Sequence, residues 1–345
     1  MTAAEWTISA MWVGVTAYVL LAGADFGAGF WDLLAGGSRR GADQRDLIEH
    51  SIGPVWEANH VWLIFVIVLC WAGFPGVFAS VASTMYVPLM LVALGIIARG
   101  AAFAFRKASA ELGHRRAYGA CFAFSSVLTP FFLGTVAGGI ASGRVPLGIA
   151  AGDLVTSWLN PTSFLAGALA VGTTAYLAAV YLCADARRAG AAPLAEQFRS
   201  RGIVTGAVTG VIALAGIAVL LIDSPALYRG LIGPGLPLVV ISAVAGLASA
   251  VLLLRRNYLP ARLSAAVAVA ALPWGWAVAQ YPLVLLPDTT IESAAAQPTV
   301  LHAVLVTTLI GAVLLIPSLL WMFALFQRDT APGRNSHGSA ADSGS

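Results

Sequence analysis

Apolar residues in this chain come in long, nearly unbroken runs, without the period-two alternation of a half-buried strand. Nine runs stand out, at 6–34, 52–74, 75–98, 118–141, 163–184, 202–222, 233–254, 263–281 and 299–326. Most are about 20 residues long, the length at which a helix spans the hydrocarbon core of a bilayer. In that core no water is at hand to satisfy backbone N–H and C=O groups, so such segments must be helices. The pattern therefore predicts an all-α, polytopic membrane protein of nine transmembrane helices. Pro88, Pro130, Pro273 and Pro317 fall inside runs, where membrane helices accept them with kinks. The stretch 327–345 is rich in Ser, Gly and Ala and reads as a disordered tail.

Composition agrees. Of 345 residues 59% are hydrophobic and only 10% charged, against about 25% charged in soluble domains. Charge adds orientation. Counted loop by loop, Lys and Arg number three, none, five, one, four, one, three, none and two, so alternate compartments hold 17 and 2 of the 19. The third group comprises Arg99, Arg106, Lys107, Arg115 and Arg116. By the positive-inside rule the N-terminus lies outside and the C-terminus in the cytoplasm. The opening MTAAEWTISAMW has no basic region before its apolar run and reads as a retained helix, not a signal peptide. Cys70, Cys121 and Cys183 are far apart, form no CxxC pair, and read as small buried side chains.

A short repeat suggests internal symmetry. VGVTAY at 13–18 returns as VGTTAY at 171–176, each followed by Ala-Asp (Ala24-Asp25 and Ala184-Asp185), and Pro88-Leu89 is echoed by Pro237-Leu238. Four helices separate the copies, so both have the same direction. The expected organisation is two parallel four-helix bundles, 1–141 and 142–298, then a ninth helix at 299–326 and the tail at 327–345.

Two acids lie at membrane depth. Asp25 falls in the inner third of the first run and Glu57 one to two turns into the second. A charge there costs roughly 2.5–3.5 kcal/mol on insertion scales and must face protein or water. Consecutive helices are expected to be neighbours, so the two carboxylates could approach one another and pass protons. Asp32 lies seven residues beyond Asp25 on nearly the same face; it reads chiefly as an interfacial carboxylate near Arg39 and Arg40. His60 lies one turn deeper than Glu57, with Asn59 beside it. Trp56 adjoins Glu57 and suits either an interfacial belt or a cofactor edge; Trp31 and Trp321 read as belt residues on the same side. Gly23 and Gly27, and Gly206 and Gly210, have the small-xxx-small spacing of close helix contacts. No metal motif, paired histidine ladder or nucleotide loop is present in the sequence. Buried acids and a parallel repeat also fit a proton-coupled secondary transporter.

GADFGAG at 23–29, GPVWEANHVWLI at 53–64, RGAAFAFR at 99–106 and QYPLVLLPDTTIESAAAQPTVL at 280–301 resemble subunit II of the cytochrome bd-type quinol oxidases, in order and spacing along nearly the whole chain. The resemblance implies a bacterial plasma-membrane complex that oxidises quinol and reduces oxygen to water. It implies b-type and d-type haems in a partner, subunit I, and none ligated by this chain, with membrane lipid and quinone as further partners. It assigns Asp25 and Glu57 to a cytoplasmic proton route ending near the partner's haems, with Trp56 close by. Where the family's usual motif reads WDGN followed by Glu or Gln, this chain has WEANH: the acid is a glutamate, Ala58 replaces a glycine, and His60 stands at the acid or amide position.

Overall fold

The computed structural model describes residues 1–36, 41–52, 56–108 and 112–329, with only the backbone described at 52, 56–58, 107, 108, 112, 115, 319, 320 and 322–329. Thirteen helices follow one another: α1 Ala3–Leu33, α2 Ala42–Ile52, α3 Trp56–Gly73, α4 Pro75–Thr84, α5 Tyr86–Ala108, α6 Leu112–Ala141, α7 Pro161–Arg188, α8 Ala192–Asp223, α9 Pro225–Ile232, α10 Leu236–Leu254, α11 Tyr258–Gln280, α12 Ile291–Ala294 and α13 Pro298–Asp329. A two-strand antiparallel ribbon, β1 Leu283–Leu285 and β2 Thr289–Thr290, interrupts the loop before α12. Among the described residues eight helices are long and apolar enough to cross a membrane, or nine if α3 and α4 count as one bent span.

That bend corrects one predicted boundary. The run at 75–98 is not a single helix. Pro75 has no N–H with which to continue the ladder of α3, and it takes the first position of α4 instead. The chain turns by 119° between the two. The third long span then begins at Tyr86 and reaches Ala108, so Arg99 and Arg106 are helical residues and not loop residues. α8 likewise takes in Arg199 and Arg201, and α11 takes in Arg262. Hydropathy stops at a charge, whereas a helix continues through it once the side chain is housed, by a carboxylate for Arg99, Arg106, Arg199 and Arg262 or by aromatic ring faces for Arg201.

α1 packs against α3, α6 and α7. Its N-terminus is fixed by a capping box, in which Glu5 N donates to Thr2 Oγ1 (3.2 Å) and Thr2 N donates to the Glu5 carboxylate (2.9 Å). Gly27 is pressed onto α7, where a Cβ would overlap the Thr174 carbonyl and Ala178. Gly206 approaches the Tyr176 ring less closely, with 3.1 Å left for a Cβ, while Gly210 faces open space. Trp31 is not a belt residue. It is buried, donates from Nε1 to Ala175 O (2.9 Å) and packs with Leu177, Phe198 and Leu253 in a core joining α1, α7, α8 and α10. Trp321 is exposed.

Candidate functional site: a buried ion-pair ladder between α1 and α5

Asp25 lies on α1, two turns before its end, and its side chain is 2% exposed. Facing it is Arg99 of α5, also 2% exposed. Arg99 Nη1 donates to Asp25 Oδ2 (2.7 Å), and Nη2 donates to Oδ1 (2.7 Å) and to the Asp25 carbonyl (3.1 Å). Nε donates to Ser126 Oγ on α6 (2.8 Å), which in turn donates to Phe122 O (2.7 Å). The guanidinium lies between the rings of Phe26 (4.8 Å) and Phe122 (4.6 Å). A planar fork matched to a carboxylate is the strongest pairing open to an arginine, and desolvated ring faces add to it. The cost of burying two charges is met by near-complete hydrogen bonding.

Seven residues on, the arrangement repeats. Arg106 Nη1 donates to Asp32 Oδ2 (2.9 Å), and Arg45 Nε of α2 lies 3.0 Å from Asp32 Oδ1. The partners of Asp32 are thus Arg45 and Arg106; Arg39 and Arg40, expected near it, lie outside the described residues. Seven residues are two helical turns, about 10.5 Å of rise, so two parallel helices can carry two rungs in register. The second rung is nearer solvent, with Arg45 and Arg106 side chains 23% and 21% exposed. Beside the outer rung is a small cleft of about 20 Å³, space for about one water. Asp32, Arg45, Glu49 and Arg106 supply its polar lining, and Phe122 its inner wall. The same ring faces Arg99, so Phe122 separates the cleft from the deep pair.

The first turns of α3 dock on this assembly. Asn59 Nδ2 donates to Leu21 O (3.4 Å). His60 packs between the rings of Tyr18 (6.2 Å) and Phe26 (5.9 Å), so Phe26 has the imidazole on one side and Arg99 on another. The Tyr18 hydroxyl is buried with no hydrogen-bond partner among the described residues. Glu57 and Trp56 belong to the first turn of α3, but their side chains lie outside the described residues, as does 53–55 of the same motif. The expected approach of Glu57 to Asp25 therefore concerns atoms that are not described. The partner that is described for Asp25 is Arg99.

Sequence reading missed Arg99, Arg45, Ser126 and Phe122. A signal for the arginines was present: Asp25 and Asp32 are spaced as Arg99 and Arg106 are. In the second half Asp185 is 25% exposed and shares Arg188 and Arg262, both at 3.4 Å, so it does not reproduce the depth of Asp25. Among the described residues no three His, Cys, Asp or Glu side chains gather into a metal site. Of the two histidines at plausible depth, His302 is exposed and His60 packs against two aromatic rings. Cys183 is buried, as expected, but Cys121 is exposed.

Fold and site together define a multi-pass helical membrane protein with charges paired in its interior. Residues 3–326 match the family described as cytochrome bd terminal oxidase subunit II, and the chain belongs to that family. It is therefore a subunit of a respiratory terminal oxidase, and nothing found supports the transporter alternative. Three relatives bear on it. "Cytochrome bd ubiquinol oxidase subunit 2" of Bacillus subtilis is 32% identical over 37% of this chain and 36% of its own length. "Cytochrome bd-I ubiquinol oxidase subunit 2" of Escherichia coli K12 is 30% identical over 57% and 52%. A Bacillus subtilis protein named "Putative cytochrome bd menaquinol oxidase subunit II" is 21% identical over 93% and 95%. The chain thus spans about a third to a half of the first two relatives and nearly all of the third. A chain in the structure of bd oxidase from Geobacillus thermodenitrificans superposes with a TM-score of 0.79 at 27% identity, covering 95% of this chain and 100% of that one.

Proposed function

We propose that this chain is the subunit without haem ligands in a two-subunit quinol:oxygen oxidoreductase, and that it brings cytoplasmic protons to the reduction of oxygen to water. Its partner is subunit I, which carries the b-type and d-type haems and the quinol site. The chain lies in the bacterial plasma membrane with its N-terminus outside and its C-terminus cytoplasmic, as two parallel four-helix halves, 1–141 and 142–298, and a ninth helix. Arg99 and Arg106 of α5, Arg187 and Arg188 of α7, Arg199 and Arg201 of α8, Arg262 of α11, and Arg255 and Arg256 just after α10 support this orientation.

The observation that carries the proton reading is the two-rung ladder. The outer rung, Asp32 with Arg45 and Arg106, opens the route at a water-sized cleft. The inner rung, Asp25 with Arg99, continues it past Phe122. Asp25 accepts a proton by loosening one of its bonds to Arg99. The guanidinium does not drift meanwhile, because Ser126 Oγ, the Asp25 carbonyl and two ring faces still hold it. Glu57, one turn before His60 on α3, is the second acid of the route, and His60 lies beside it against Phe26. Trp56 follows toward the partner's haem. When bound in subunit I, the haems supply the electrons for oxygen reduction; this chain holds and moves protons.

Expression of the chain with and without subunit I tests the assignment. Haem absorption bands should be present only with the partner, and the two chains should co-purify. Haem bands in the isolated chain would overturn the haem-free role.

A further inference from the structure

Two arginines near the start of α8 have opposite surroundings. Arg199 is paired: its Nε donates to both oxygens of Glu196 (2.9 and 3.0 Å). Arg201 points elsewhere, with its guanidinium carbon 5.0 Å from the Trp31 ring and 5.3 Å from that of Phe198. Among the described residues no carboxylate, carbonyl or hydroxyl accepts from it, and its Nη1 is buried without a partner. By contrast Arg45, Arg99, Arg106, Arg144, Arg199 and Arg262 each face a carboxylate.

The ring faces hold this guanidinium in place but leave its edge donors unmet, since a π face does not take the in-plane N–H groups. The position is also telling. Arg201 is the last charged residue before the uncharged stretch 202–222, so it stands where headgroups give way to acyl chains. On the same flank of α8, Val204, Val208 and Val211 are 60%, 52% and 65% exposed. They follow Arg201 at three, seven and ten residues, a spacing that lines up side chains in one strip. An unpaired cation at the head of a smooth apolar strip complements a ligand with an anionic head and a hydrocarbon tail.

We propose that Arg201 is the headgroup site for an anionic phospholipid in the leaflet at the arginine-rich ends of the helices. Nη1 is enclosed by the protein, so two phosphate oxygens accept from the other edge, Nε and Nη2, in the bidentate geometry that arginine favours, and an acyl chain lies along Val204, Val208 and Val211. Basic pockets between membrane helices recognise lipid headgroups in this way. The clamp of Trp31 and Phe198 makes the site rigid, so lipid bound there ties α8 to α1.

The test uses the complex with subunit I, delipidated in detergent and then supplied with phosphatidylglycerol, phosphatidylcholine or inorganic phosphate. Native mass spectrometry counts retained lipid, and thermal unfolding reports its effect. The wild-type complex should retain one more phosphatidylglycerol than the Arg201→Gln complex, and the rise in midpoint with that lipid should be at least halved in the variant. Val208→Trp, which blocks the strip and leaves the guanidinium intact, should lose the same lipid. Should Arg201→Gln not accumulate, Arg201→Lys, which keeps the charge but not the fork, and Val208→Trp carry the comparison. Equal retention in wild type and variants overturns the proposal. So does equal protection by inorganic phosphate, which would make this an ion site. So does separation of the Arg201→Gln complex from subunit I whatever lipid is present, which would make the missing acceptor a carboxylate of the partner.

Discussion

Replacing Asp25 or Arg99 alone should be far more damaging than replacing both. Arg99→Met leaves the Asp25 carboxylate, 2% exposed, without the two 2.7 Å bonds that hold it. Asp25→Leu leaves a guanidinium at membrane depth with only Ser126, one carbonyl and two rings. Breaking a buried pair from one side costs about 3–5 kcal/mol, whereas an apolar replacement of both partners is often neutral. Each single variant should therefore lose about 3–5 kcal/mol, and the Asp25→Leu/Arg99→Met double variant should recover most of it, giving a coupling energy of roughly 3 kcal/mol or more. Denaturant unfolding of the complex in mixed micelles, arranged as a double-mutant cycle, measures the coupling. Additive losses, with the double variant as unstable as the sum of the singles, would refute the claim that these residues form one buried unit.

Gly29 lies where a Cβ would overlap the side chain of Ser126, the acceptor of Arg99 Nε. Gly29→Ala should cost about 1–3 kcal/mol by overpacking, measured by the same unfolding assay, and Ser126→Gly in the same chain should restore part of it; no change with Gly29→Ala would contradict the close approach of α1 and α6. In the connection 142–160, Asp153 Oδ1 accepts from Thr156 N (2.7 Å), Val155 N (2.9 Å) and Thr156 Oγ1 (2.9 Å), and these bonds hold its carboxyl below the ordinary 3.8. Because the folded value is the lower one, the contribution is complete above the unfolded value and is lost as pH falls through the folded one. Amide exchange at residues 155 and 156, corrected for intrinsic rates, should keep its protection at about pH 5 and lose it only below about pH 4; loss already at pH 5 would count against this turn.

Much of the fold was legible because lipid leaves the chain so few options. Runs of about 20 apolar residues can only be helices there, and the long spans fall where the runs are. What the runs could not reveal was where a helix ends when its last turns are charged. Arg99 and Arg106 stop a hydropathy run, yet α5 carries them to Ala108 because two aspartates on α1 await them. That pairing is a tertiary fact, written in the sequence only as matching seven-residue intervals. Trp31 was misassigned for a similar reason. Its depth suited an interfacial belt, but the bond from Nε1 to Ala175 O and its packing on Phe198 place it inside. The bend at Pro75 was signalled by the proline itself and hidden by the continuous apolar character on either side. At the site, Asp25 and His60 stood out as polar groups in apolar surroundings, whereas Ser126 and Phe122 are ordinary membrane-helix residues until Arg99 is seen between them.

The most direct test of proton delivery by this chain is quinol-dependent oxygen uptake by the complex with subunit I, in wild type and in Glu57→Ala, Glu57→Asp and Asp25→Asn forms. Haem content, read from the absorption spectrum, serves as the control for assembly. Positioned acid–base groups contribute roughly 100-fold or more to the steps they serve. At unchanged haem content, uptake should fall by about tenfold or more in Glu57→Ala and in Asp25→Asn, on the conservative side of that range. Glu57→Asp should keep most of the activity. Wild-type turnover in a complex carrying both Glu57→Ala and Asp25→Asn would contradict the proton route.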